Sequence, residues 1–159
     1  MVASYNFFAP SCAFAPLRES IFRTIVGKKH STMRQNISSG AKWEDIIGYS
    51  RAVRIGNNLE VSGTVAVDEN GIVGKGDFYL QTKFILEKIG RVLTQAGFSL
   101  EDVVRTRTYV TDIRHWEEVG RAHGEVLGKI KPATSMIQVS GFIEPDFLVE
   151  IEVTAVKER

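Results

Sequence analysis

Disulfides, membrane spans and a dominant charge are all missing from this chain. A single cysteine, Cys12, among 159 residues excludes an internal disulfide framework. No apolar run approaches the ~20 residues that a membrane-spanning helix requires. Formal net charge is only +1, so no global field points to nucleic acid or to a membrane surface. The three histidines, His30, His115 and His123, lack ligand spacing, and no metal site is expected. Glycines occur in "GNNLEVSG" and "GIVGKG", but without the strand–loop–helix context of a phosphate loop. Heptads and internal repeats are also missing. What remains, 43% hydrophobic and 25% charged, is the composition of one soluble globular domain.

Charge is unevenly spread. Residues 1–40 hold five Lys/Arg against the single acidic Glu19, and carry two of the four prolines, Pro10 and Pro16. The segment is rich in Ser, Phe and Ala, and Leu17, Ile21 and Ile25 recur at helical spacing. Three readings of residues 1–32 stay open: an organelle transit peptide, an extension upstream of a start at Met33, or a partly ordered arm. A cytoplasmic location is expected, or an organelle matrix under the transit reading. Residues 1–40 are set outside the fold and expected to be mostly disordered, which leaves a domain of residues 41–159 with fifteen basic and eighteen acidic side chains.

In that domain "SRAVRIGNNLEVSG" reads as two strands joined at Gly56-Asn57. "VDENG" is a further turn. "GDFYLQTKFILEKIGRVLTQAG" predicts a helix capped by Asp77, with Ile85, Ile89, Val92, Leu93 and Ala96 as its apolar stripe and Gly97 at its C-terminal end. Val103 to Val110 is a strand. A second helix follows Asp112, its inward stripe formed by Trp116, Val119, His123, Leu127 and Ile130, and Pro132 ends it. "TSMIQVSGF" and "LVEIEVTAV" are the last strands. The order β-β-α-β-α-β-β predicts an α/β domain, a mixed sheet with both helices on one face.

Alternation assigns Val149, Ile151 and Val153, and Val104, Thr106, Thr108 and Val110, to the helix-covered face. The opposite face then receives Arg105, Arg107, Tyr109, Thr134, Met136, Gln138, Glu150 and Glu152. Such a mixed face is too polar for a second core and too apolar for plain solvation, which predicts burial between subunits.

These stretches resemble the YjgF/RidA family of reactive-intermediate deaminases, also described as L-PSP endoribonucleases or translation inhibitors. The resemblance spans about residues 41–157 through "GYSRAVRIGNNLEVSG", "VVRTRTYVTDI", "KPATSM" and "VEIEVTAV". It implies a chorismate-mutase-like fold and a homotrimer with a central barrel. It also implies ligand clefts between subunits and hydrolysis of enamines or imines to a keto acid and ammonia without metal or cofactor. It places the cleft aromatic on Tyr49, the ligand-side backbone on Ser62 and Gly63, and the acid that shuttles the proton on Glu150. The expected partner is a small keto acid or imine-like ligand, not nucleic acid.

One departure is plain. Deaminase members carry after "PA" an arginine that grips the substrate carboxylate bidentately. Here the stretch reads "PATSM", with Thr134 and Met136 lining that side. Arg107 is expected to supply the anion contact instead, with Arg54 as the other candidate. The pairing of Arg105 and Arg107 with Glu150 and Glu152 across the trimer is the competing assignment. His123 reads as a core histidine or, alternatively, as a proton carrier beside Glu125 or Arg121. A non-catalytic trimeric ligand binder and a ribonuclease remain as second and third functional readings.

Overall fold

A computed structural model describes residues 33–158. A six-stranded sheet is built from β1 (Arg34–Ile37), β2 (Ala52–Ile55), β3 (Asn58–Val65), β6 (Val103–Val110), β7 (Ala133–Gln138) and β8 (Val149–Val156), in the order β1-β2-β3-β8-β6-β7. Only β6 and β7 run parallel; the other neighbours are antiparallel. A two-stranded ribbon, β4 (Val67–Asp68) with β5 (Gly71–Ile72), occupies the turn read in "VDENG". The helices are α1 (Lys42–Ile47), α2 (Phe78–Gln95) and α3 (Trp116–Leu127). The expected β-β-α-β-α-β-β order is present in β2, β3, α2, β6, α3, β7 and β8, with β1, α1 and the ribbon added to it. No helix among the described residues is long and apolar enough to cross a membrane.

The core lies between α2, α3 and one face of the sheet. From α2 it takes Ile85, Leu86, Ile89, Val92 and Leu93, and from β8 Val149, Ile151, Val153 and Ala155. Asp77 caps α2 by accepting from the Leu80 amide at 2.8 Å. Gly97, at φ 78°, reverses the chain after the helix, and the Phe98 amide closes the turn on Leu93 O at 2.8 Å.

The structure corrects several expectations. The fold begins before residue 41: β1 pairs with β2 from Arg34 to Ile37, and Ile37 is buried. Ser38 and Ser39 then bond the buried carboxylate of Glu44 in α1. The basic character of residues 1–40 hid this strand because a short edge strand needs only one inward side chain. Residues 1–32, on which the transit reading rests, lie outside the described residues.

Val104 is not on the helix face. The β6–β8 register shifts between Val103 and Arg105, and this bulge turns Val103 inward (3% exposed) and Val104 outward (45%). Trp116 is exposed as well: Asp112 caps a single 3₁₀ turn, Ile113–His115, through the Arg114 amide, so α3 starts later. Ala122 joins Val119 and Leu127 as its buried residues.

Thr134, Met136 and Gln138 are likewise on the helix face. The parallel register aligns them with Thr106, Thr108 and Val110, and Met136 packs against the core. Ala133, Ser135 and Ile137 instead share the face of Arg105, Arg107 and Tyr109.

A chain starting at Ala41 is expected to be less stable than one starting at Met33 by about 2–5 kcal/mol, the range for removing a buried aliphatic side chain. Urea denaturation of the two chains measures the difference.

Candidate functional site

The sequence-predicted residues form two groups on opposite sides of the sheet. The first is centred on a bulge in β3. Pairing with β8 passes from Val61↔Val153 to Thr64↔Ile151, so Ser62 and Gly63 together occupy the place opposite Glu152. Three bonds tie this bulge to the chain entering β2. The Ser62 amide donates to Arg51 O at 3.1 Å, Ser62 Oγ donates to Ser50 O at 2.7 Å, and Arg51 Nη2 donates to Gly63 O at 2.8 Å.

Glu150 lies directly on Gly63. A Cβ at residue 63 would collide with Glu150 Oε1 and stand 2.7 Å from its Cδ. Glycine here permits a close approach of the Glu150 side chain and answers no need of the backbone angle. Burial pushes the Glu150 carboxyl up, the charge of Glu152 adds to this, and Arg51 opposes both. Glu150 makes no hydrogen bond to another side chain among the described residues, which leaves its oxygens available.

Tyr49 follows α1 and stands partly exposed, with the Arg51 guanidinium 5.9 Å from its ring. Glu44, in the first turn of α1, ties that helix to Ser38 and Ser39. Burial raises its pKa, but the bonds from Ser38 and Ser39 and the charge of Arg51 outweigh this and hold the carboxyl below its ordinary value.

Arg107 stands nearest to Glu152. It pairs with Glu152 at 3.6 Å within the same chain, and Tyr109 donates to the same carboxylate oxygen at 3.3 Å. Arg54 is removed from the cleft altogether: it donates to Gly56 O and Ala96 O and lies over Phe98, closing the end of α2. Sequence reasoning missed Arg51, which is 8% exposed, has a buried Nε without a partner, and is the cation beside Glu150. Its signal was present in "YSR", where Tyr49 and Arg51 stand two apart.

The second group lines the β7 edge on the helix face. Thr106, fully buried, donates to Thr134 Oγ1 at 2.8 Å and contacts His123 Nε2 at 3.1 Å. Burial depresses the His123 pKa. Glu125, considered as its partner, instead accepts from Tyr79 and Lys83, and Arg121 lies over the Tyr79 ring. Thr134 itself is exposed.

A family model described as Endoribonuclease L-PSP matches residues 40–157. The chain belongs to the YjgF/RidA family. A RutC family protein of Pyrococcus abyssi is 38% identical over 111 residues, 69% of this chain and 87% of the relative. A 3-aminoacrylate deaminase, RutC of Acinetobacter baylyi, is 35% identical over 104 residues, 65% of this chain and 82% of the relative. A YjgF-family crystal structure from Mycobacterium tuberculosis is 47% identical with a TM-score of 0.72, covering 79% of this chain and all of that one. The fold of this YjgF/RidA protein is thus the family's, while Thr134 and Arg51 are read from its own residues.

A raised carboxyl pKa means that the folded state holds the Glu150 proton more tightly than the unfolded chain does. Ionisation of Glu150 therefore lowers stability above its folded pKa and has no effect once both states are protonated. Glu150→Gln is expected to melt higher than the wild type at pH 7, with the gap closing as pH falls into the ordinary glutamate range; thermal melts across pH check this. Gly63→Ala is expected to displace the carboxylate and change stability by no more than about 0.5 kcal/mol, because the group that must move is the free end of a half-buried side chain, as read by urea denaturation.

Proposed function

We propose that the protein is a hydrolytic deaminase of small imines, enamines or related reactive intermediates, working in clefts between the subunits of a homotrimer. The observation that carries this reading is the carboxylate of Glu150, half-buried, free of side-chain partners and packed on Gly63. Imine hydrolysis needs a group that first takes a proton from the attacking water and then gives it to the departing nitrogen. A carboxyl whose pKa is raised above the ordinary glutamate value suits both steps better than an ordinary one. Water adds to the C=N carbon, the C–N bond of the adduct breaks, and a carbonyl compound and ammonia leave. Backbone at Gly63 stabilises the charge that develops on oxygen, Ser62 fixes the bulge, and Tyr49 covers the cleft.

The division of the site supports the trimer. Glu150 and Gly63 lie on the open face, whereas Thr134 and Met136 lie at the β7 edge on the helix face. A small molecule cannot touch both groups of one chain across its own sheet. It can do so where the open face of one subunit meets the β7 edge of another.

Thr134 in place of an arginine favours a second reading, a trimeric ligand binder without turnover. The ribonuclease reading meets an unfavourable balance, because residues 41–159 hold eighteen acidic against fifteen basic side chains and phosphates favour the reverse.

Two generators test the proposal. A pyridoxal-phosphate lyase releases 2-aminocrotonate, and a flavin amine oxidase releases uncharged imines; product release is timed with and without the protein. Acceleration of either reaction is expected, falling about 10²–10⁴-fold in Glu150→Gln, the usual contribution of a general acid–base. No acceleration with either generator leaves the ligand-binder reading. Light scattering that shows a monomer would remove the shared cleft.

A further inference from the structure

Arg51 is a buried cation that spends little of its hydrogen-bonding capacity. It is 8% exposed. A guanidinium offers several N–H donors, yet among the described residues only Nη2 has a partner, Gly63 O at 2.8 Å, and the buried Nε has none. No carboxylate among the described residues stands within ion-pair distance of it. A single bond to a carbonyl is one that a neutral amide also makes, without a charge to desolvate. Anchoring the bulge therefore does not account for an arginine at this position, whereas its charge does. Burial depresses the Arg51 pKa, while Tyr49, Glu44 and Glu150 support the charged form.

The bulge shows what that charge acts on. Gly63 offers its carbonyl oxygen to Arg51 and its bare Cα to the carboxylate of Glu150. One residue thus separates the cation from the acid, close enough for its field to be felt and with no bond between them. The remaining groups around Glu150 differ in kind. Glu152, two residues on along β8, repels its charge. Tyr109 lies opposite on β6, and burial and the charge of Glu152 push its phenol up, so it is uncharged at neutral pH. Arg107 stands opposite Glu152 and Arg105 opposite Thr154, while the β3 partner of Glu150 is the apolar Val65. Behind Arg51, Glu44 of α1 supports the guanidinium charge. Lys88 of α2 donates to Val67 O at 2.8 Å, and burial and the charge of Arg51 depress its pKa. Arg51 is the cation whose charge opposes the burial of Glu150.

A direct guanidinium–carboxylate pair would hold Glu150 ionised and occupy its oxygens. With no cation nearby, burial beside Glu152 would favour the protonated form, which takes no proton from water. We propose that Arg51 is a positioning residue for Glu150, acting by its charge across the Gly63 peptide, so that the carboxyl both accepts a proton from the attacking water and returns it to the departing nitrogen. The proton's role in this inference rests on the hydrolase reading. The inference goes beyond that reading by assigning Arg51 to the proton balance of the site and by separating its charge from its hydrogen bond.

Carbon-detected NMR of the intact chain tests it by following the titration of the Glu150 carboxyl, whose signal is assigned by its loss in Glu150→Gln. Arg51→Gln keeps an amide donor and removes the charge; Arg51→Lys keeps the charge and removes the guanidinium. The Glu150 midpoint is expected to rise by about one pH unit in Arg51→Gln, as for loss of a nearby opposite charge, and to stay within about 0.3 unit of the wild type in Arg51→Lys. The limb of the pH–rate profile that belongs to Glu150 is expected to move with it. An unchanged midpoint in Arg51→Gln, or an equal rise in both variants, overturns the inference. So does an Arg51→Gln chain that does not fold, because the guanidinium is then needed to hold the bulge. The titration requires no turnover. Midpoints that move as expected in a protein that hydrolyses no imine contradict the hydrolase reading alone. Imine hydrolysis that is lost in Glu150→Gln, with a midpoint indifferent to Arg51→Gln, contradicts this inference alone.

Discussion

The contact between the Glu150 carboxylate and the bare Cα of Gly63 is the constraint on which the rest of the site depends. A Cβ at position 63 would push that carboxylate from its place. The bulge at Ser62 and Gly63 then needs anchoring, because a bulged strand forfeits ladder bonds. Ser50 O, Arg51 O and the Arg51 guanidinium provide the anchor. The same chain segment carries Tyr49, so the aromatic side chain and the bulge are positioned by one set of hydrogen bonds.

Electrostatics follow from that arrangement. Burying Glu150 beside Glu152 is unfavourable, and Arg51 offsets only part of the cost. Arg107 and Tyr109 hold Glu152 to one side, which leaves Glu150 as the carboxylate without a side-chain partner. Such a carboxylate is the reverse of what stability alone would select. At the opposite edge the logic changes from charge to hydrogen bonding. His123, Thr106 and Thr134 satisfy one another with neutral groups, so that edge can be buried in an interface without a desolvated ion.

Legibility in the sequence divides along the same physical line. The core stripes of α2 and β8 were readable because period and burial coincide there: Ile85, Ile89, Val92 and Leu93, and Val149, Ile151 and Val153, are all buried. Asp77 and Gly97 were readable because caps act within one helical turn. Val104 and Trp116 were misread because a bulge and a 3₁₀ turn each shift the phase by a residue or more, and alternation has no memory of such slips. Glu150 and Gly63 were assigned to one ligand cleft only through resemblance to the family's motifs, and the structure sets the carboxylate against that glycine. Nothing in their spacing along the chain brings residues 63 and 150 together.

Period and capping in the sequence by themselves determined the order of the seven main elements and the apolar stripes of α2 and β8. Tertiary structure alone decided which polar side chains share a face. Parallel pairing of β7 with β6 set Thr134 beside Thr106, away from Glu150, and pairing of β6 with β8 gave Arg107 to Glu152. It also brought Arg51 to Gly63. The reason is that register is a property of two strands, fixed by hydrogen bonds between segments distant in the chain, and no single segment carries it.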